Sequence, residues 1–214
     1  PELHKRFAEY AENTGKRFVV MYGQTEATAR MAYLPYQKSL EKYGSMGIAI
    51  PGGKFTLIDE GGNIITEPDV VGELVYEGDN VTLGYAEKGE DLIKGDERHG
   101  RLVTGDMAKI DSDGFYYIVG RKKRFLKIFG SRTNLDETER MIKAAFPDID
   151  VACGGVDDKM WVFITDGSKK NEVLSFLTKK LQFNHIAFEI KAIDEIPKND
   201  AGKKLYTALE RYYK

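Results

Sequence analysis

The sequence predicts an α+β fold in two parts, and three observations predict it. Residues 47–120 break into short strand-like runs separated by turn signals, which reads as a mostly antiparallel β-subdomain shaped as a distorted barrel. A helix and a short strand precede that region, at residues 2–14 and 18–21. Residues 121–214 then change pattern to helix, strand, strand, helix, strand, an α+β module of about 90 residues and within the range of small independent folds. The expected division is therefore 1–120 and 121–214.

The elements follow in order. Leu3, Phe7, Tyr10 and Ala11 fall at helical spacing, and Gly15 ends that helix. Phe18-Val19-Val20-Met21 reads as a short buried strand, with YGQTEAT (Tyr22–Thr28) at its C-terminal end. In open α/β sheets ligands sit at that edge. Tyr22 offers a flat ring able to cover a purine. Thr25 offers a hydroxyl donor for a phosphate oxygen or carboxylate, and Glu26 a hard oxygen for Mg²⁺. The plain alternative is a capped loop with one surface Glu.

Lys54–Asp59 alternates, and Gly61-Gly62-Asn63 turns it. Gly72–Tyr76 and Val81–Tyr85 read as further strands, and Asp113-Gly114 joins Met107–Asp111 to Phe115–Val119. Between them lies Thr104-Gly105-Asp106. A tight turn at Gly105 would project Asp106 from a strand end, where its carboxylate either accepts hydrogen bonds from a vicinal diol or caps the next turn.

Gly120–Glu139, GRKKRFLKIFGSRTNLDETE, crosses the basic cluster Arg121-Lys122-Lys123-Arg124, an apolar run to Phe129 and a turn at Gly130. The cluster is either a solvated linker or a place where negative charge is held. Asn134 with Glu137 marks the start of a helix over 135–146. Strands are expected at 151–156, 160–165 and 187–193, and a second helix at 169–181 with Val173, Leu174, Leu177 and Leu181 on one face. Trp161 reads as core and Cys153 as a small buried residue. PKNDAGKKLY (Pro197–Tyr206) is a polar turn that leaves Lys203 on an exposed tip, and a short helix closes the chain at 205–213.

Bulk properties exclude several classes. With 214 residues, 42% hydrophobic and 31% charged, the composition is that of an ordinary globular protein. A net charge of −2 favours neither nucleic acid nor a membrane surface, and no apolar run approaches the roughly 20 residues of a membrane span. The lone Cys153 excludes an internal disulfide and fits a reducing compartment, so a cytoplasmic location is expected. His4, His99 and His185 have no metal-ligand spacing. The chain opens in helical pattern without an initiator Met, which suggests a piece of a longer protein.

YGQTEAT, TGD, GRKKRFLKIFGSRTNLDETE and PKNDAGKKLY, with GELVYEG and LGY before TGD, together resemble the adenylate-forming ligases. These are the acyl-CoA synthetases, the adenylation domains of peptide synthetases and firefly luciferase. The four stretches stand in the family's order and span nearly the whole chain.

The resemblance implies the β-rich end of a large N-terminal AMP-binding domain, followed by a small C-terminal lid domain with a hinge near 121–124. It implies ATP/AMP, Mg²⁺ and coenzyme A as cofactors or substrates, and a carboxylic acid joined to the thiol of CoA or, alternatively, of a carrier protein. A non-catalytic nucleotide-binding fragment is the competing reading. By resemblance, Tyr22 would stack on adenine, Thr25 would contact the α-phosphate and Glu26 would hold Mg²⁺. Asp106 would bind the ribose hydroxyls with help from Arg121, and Lys123 would be the hinge. Lys127 and Gly130 would face the site during thioester formation, Gly130 lining the pantetheine passage, and Lys203 would catalyse adenylation.

Two stretches depart from the family pattern: Asn199 stands where Thr is usual, and Thr133-Asn134 where an apolar residue is common. The family's Ser/Thr/Gly-rich phosphate loop and its acyl pocket are not in this sequence, so they are expected in a missing N-terminal region of the same enzyme.

Overall fold

The computed structural model describes residues 2–213. The chain divides into two compact units, and the break falls between Lys122 and Lys123.

The first unit begins with α1 (Glu2–Asn13) and the short strands β1 (Met21–Tyr22), β2 (Ala32–Tyr33) and β3 (Ile48–Ala49), which form one antiparallel sheet. A second, five-stranded antiparallel sheet follows. It contains β4 (Lys54–Ile58), β5 (Ile64–Ile65), β6 (Gly72–Glu77), β7 (Arg101–Ile110) and β8 (Tyr116–Arg121), in the order β5-β4-β6-β7-β8. β4 alternates between core and surface, as a strand with one covered face should. β6, between β4 and β7, is buried from Gly72 to Tyr76. Phe55, Leu57, Leu74, Tyr76, Leu102 and Ala108 form the core with Ala32 of the small sheet and Met31 just before it.

Several expectations fail in this unit for identifiable reasons. The sheet is open and not a closed barrel: β5 and β8 are its edges, and the bridge Gly47–Tyr116 ties β8 to the residue before β3. The strand at 18–21 shrinks to Met21–Tyr22, and Val19 and Met21 are exposed rather than buried. α1 buries Ala8 and Ala11 while Leu3, Phe7 and Tyr10 stay exposed, so its larger apolar residues face outward. Val81–Tyr85 is irregular and not a strand, since its polar groups bond to the loop at Glu26 and to Glu97.

The second unit begins with β9 (Phe125–Ile128) and β10 (Ser131–Asn134), a hairpin turned at Phe129-Gly130. Both turn residues have positive φ, 49° and 81°, the backbone of a type I′ turn, and Gly130 takes it without strain. β10 stands where the sequence pattern ran directly into the helix. Asn134 does cap α2 (Leu135–Ala145): its Oδ1 accepts from the N–H groups of Asp136 and Glu137.

β11 (Val151–Val156), β12 (Lys159–Ile164), α3 (Lys170–Leu181) and β13 (Phe188–Ala192) complete the unit. β11 and β12 are antiparallel, whereas β12 and β13 are parallel and joined through α3. Strand alternation gives the sheet two buried faces. Val151, Cys153, Met160, Val162 and Ile164 pack with Ile142, Val173 and Leu177 of the helices. Ala152, Trp161 and Phe163 pack with Ile196 and Leu209. The closing segment Tyr206–Tyr212 is a 3-10 helix rather than an α-helix. It lays Tyr213 against Trp161, ring centroids 4.8 Å apart.

Candidate active site

Tyr22 ends β1 and opens the YGQTEAT loop, which returns so that Met31 N–H donates to Tyr22 O at 2.8 Å. Gly23 permits that return: a Cβ there would lie 2.5 Å from Ala29 O. Across the unit, β7 bulges between Val103 and Met107 and places extra residues opposite β6. Gly105 takes φ 70° inside the bulge. Thr104 Oγ1 fills it, donating to Leu74 O at 2.8 Å and accepting from Asp106 N–H at 3.1 Å. TGD therefore lies within one long strand, and the bulge, not a strand end, aims Asp106.

The two motifs meet at the Asp106 carboxylate, which is only 3% exposed. Tyr22 Oη donates to its Oδ2 at 2.6 Å, and Gln24 Nε2 donates to the same oxygen at 2.8 Å and to Thr104 O at 3.1 Å. Arg121, the register partner of Asp106 on β8, brings Nε to 2.7 Å from Oδ1. Burial and the adjacent Asp106 push the Tyr22 phenol well above its ordinary value, so it remains a donor at any physiological pH. The carboxylate is thus fixed on one side, and its other oxygen lies under a guanidinium that is itself 60% exposed. Such an oxygen keeps lone-pair capacity for hydroxyl donors.

Thr25 and Glu26 lie on the 3-10 turn Thr25–Ala27, Thr25 exposed and Glu26 half-buried. Tyr85 Oη donates to Glu26 Oε1, which with weaker help from Arg98 and Arg121 holds this carboxyl below its usual value. Arg98 stacks 4.5 Å from the Tyr85 ring centroid and also bonds Thr82 Oγ1. No cluster of three metal-ligating side chains exists among the described residues. Mg²⁺, however, is commonly held by one or two carboxylates plus substrate phosphates, and an ionised Glu26 fits that donor set.

The basic cluster is largely paired with the protein's own acids and carbonyls. Lys122 Nζ meets the buried Glu73 at 2.6 Å. Lys123 is exposed. Arg124 donates to Asp136 Oδ1 at 2.7 Å, Glu139 Oε1 at 2.6 Å and Cys153 O at 2.7 Å. In the second unit Lys127 lies on the exposed side of β9 and Gly130 in its turn, while Lys203 is exposed on the 198–204 loop. The sequence reading assigned no role to Gln24, Tyr85, Arg98, Thr104, Glu139 or Lys204. All but Arg98 lay inside quoted motifs, yet each depends on partners distant in the chain.

Known proteins agree with this fold. Residues 1–86 match the family described as AMP-binding enzyme. The chain is 30% identical over 200 residues to a 2-succinylbenzoate–CoA ligase of Geobacillus kaustophilus, covering 89% of this chain and 40% of that protein. It is 32% identical to a long-chain-fatty-acid–CoA ligase of Yersinia pestis, over 95% of this chain and 37% of that one. Among solved structures, an O-succinylbenzoate coenzyme A synthetase from Bacillus subtilis in complex with AMP superposes with TM-score 0.70 at 22% identity, over 95% of this chain and 43% of that chain. The chain belongs to the adenylate-forming ligase superfamily. Within it, the part that carries Tyr22, Thr25 and Glu26 falls in the AMP-binding enzyme family. The chain spans about two fifths of the length of the curated relatives it matches.

Proposed function

We propose that this chain is the C-terminal part of an AMP-forming acid–CoA ligase. The observation that carries the reading is the convergence of Tyr22, Gln24 and Arg121 on the buried carboxylate of Asp106. A rigid carboxylate acceptor beside an exposed guanidinium suits the two hydroxyls of a ribose. The first half-reaction joins a substrate carboxylate oxygen to the α-phosphorus of ATP and breaks the bond to pyrophosphate. In the second, a thiol sulfur attacks the acyl carbon and AMP leaves. The relatives' names favour coenzyme A over a carrier protein as that thiol's source.

The side chains divide the work. Asp106 and Arg121 hold the ribose, Tyr22 covers the adenine, and Thr25 contacts the α-phosphate. Glu26 would hold Mg²⁺, which supplies charge neutralisation at the phosphates when bound. Lys203 places a compact ammonium against the charge that builds on the phosphoryl oxygens, where electrostatic stabilisation is largest. Lys123, at the junction of the two units, serves as the hinge, and turning there exchanges Lys203 for the face bearing Lys127 and Gly130. Residues 1–214 carry no phosphate loop of the family's kind, so by themselves they are expected to be inactive.

ATP–pyrophosphate exchange by the full-length protein, run against fatty and aryl carboxylic acids, tests the proposal. Exchange dependent on one acid class is the expected result. Absence of exchange with every acid, together with no binding of a non-hydrolysable acyl-adenylate analogue, would overturn it.

A further inference from the structure

The 198–204 loop is fastened on both flanks while its tip stays exposed. Its stem is the bridge between Lys198 and Lys204, and Asn199 Oδ1 accepts from Lys203 N–H at 2.9 Å. Lys198 Nζ reaches Asp150 Oδ2 at 2.9 Å on one flank. The other flank is tied more deeply: Lys204 Nζ donates to Glu139 Oε2 at 2.5 Å and to Val151 O at 2.7 Å. Glu139, on α2, is 6% exposed, and its Oε1 is already taken by Arg124 at 2.6 Å and Cys153 N–H at 2.7 Å. Arg124 also stacks 3.7 Å from the ring centroid of Tyr206, whose hydroxyl donates to Glu139 Oε2 at 3.2 Å. One buried carboxylate therefore joins the residue that follows Lys123 to the residue that follows Lys203.

We propose that Lys204, clamped to Glu139, is a positioning residue that fixes the direction of Lys203 and couples it to the start of the second unit. The proposal rests on the reading of Lys203 as the adenylation lysine. Adjacent residues of an extended stem point to opposite sides, so anchoring Lys204 inward sends Lys203 outward. Arg124 enters the same carboxylate, so a rotation that begins at Lys123 carries the loop as one body rather than leaving it to sample many orientations. Orientation of this kind is worth much in rate, since a displacement of about 1 Å can cost on the order of a hundredfold.

Glu139→Ala would strand Arg124 without its buried partner and risks unfolding the unit, so the test uses the half-buried side of the clamp. Lys203→Ala, Lys204→Met and Lys204→Arg are compared in the full-length protein. Both half-reactions are measured: acid-dependent adenylation, and thioester formation from supplied acyl-adenylate. Lys204→Met is expected to lower the adenylation kcat by about tenfold to a hundredfold with the KM values for ATP and acid within about twofold. It should leave thioester formation within about twofold, and Lys204→Arg should restore most of the lost rate. Lys204→Met at wild-type adenylation, with Lys203→Ala inactive, would overturn the proposal and leave the Lys203 reading standing. Equal loss of both half-reactions would also overturn it, marking Lys204 as merely structural. Lys203→Ala with undiminished adenylation would instead overturn the reading beneath it.

Discussion

At the scale of single residues, Asp106 draws the first unit's motifs together: Tyr22 and Gln24 of one loop and Arg121 of β8 all direct donors to it. Asp106→Ala removes the acceptor proposed for the ribose, and hydrogen bonds to a charged group are worth about 1.5–3 kcal/mol each. AMP affinity in the full-length protein is expected to fall by about tenfold to a hundredfold, as measured by calorimetry. Asp150 gives a pH-dependent case in the second unit. The bond from Lys198, aided by Lys143, holds its carboxyl below the ordinary value against some burial. A depressed folded-state pKa contributes stability above the unfolded value and loses it as pH falls through the folded one. Both partners are over 40% exposed, so the contribution is at most about 1 kcal/mol. Asp150→Asn should therefore be slightly less stable than wild type at pH 7, the gap closing below about pH 4 in urea titrations.

At the scale of elements, the β7 bulge does what neighbouring sequence did not announce. TGD reads as a turn because Gly105 follows a strand-like run, yet pairing with β6 on one side and β8 on the other carries the strand through it. Gly105→Ala meets no atom within 4 Å, but it places a side chain at φ 70°. The left-handed conformation costs about 1–2 kcal/mol for an alanine. The first unit should lose about that much stability by denaturant melting, and AMP binding should weaken with it as Asp106 shifts. The hairpin β9–β10 carries the same lesson. Its turn at Gly130 was legible, but β10 was not, because Ser131-Arg132-Thr133-Asn134 has no apolar alternation and pairs only because β9 lies beside it.

At the scale of the molecule, each unit has its own apolar core: among the described residues, every core cluster lies within one unit. Ile142 is fully buried among the helices and sheet of the second unit. Ile142→Ala should destabilise that unit by about 2–5 kcal/mol through lost transfer energy and the cavity left behind. Calorimetry of this chain is expected to show one transition moving down while the other holds; a common shift of both would mean the cores fold as one.

The sequence by itself determined the α+β class, the order of most elements, the Asn134 helix cap and the superfamily, because these depend on local propensity, hydrophobic period and motif spacing. It also marked Tyr22, Asp106 and Arg121 as belonging to one site, through resemblance rather than contact. Only the tertiary structure decided that the five-stranded sheet stays open, that α1 turns Leu3 and Phe7 outward, and that one carboxylate, Glu139, gathers Arg124, Lys204 and Tyr206. Periodicity reports which residues share a face of an element. Which partner a buried charge finds across 15 or 65 positions of chain depends on how elements pack, and that information is not local.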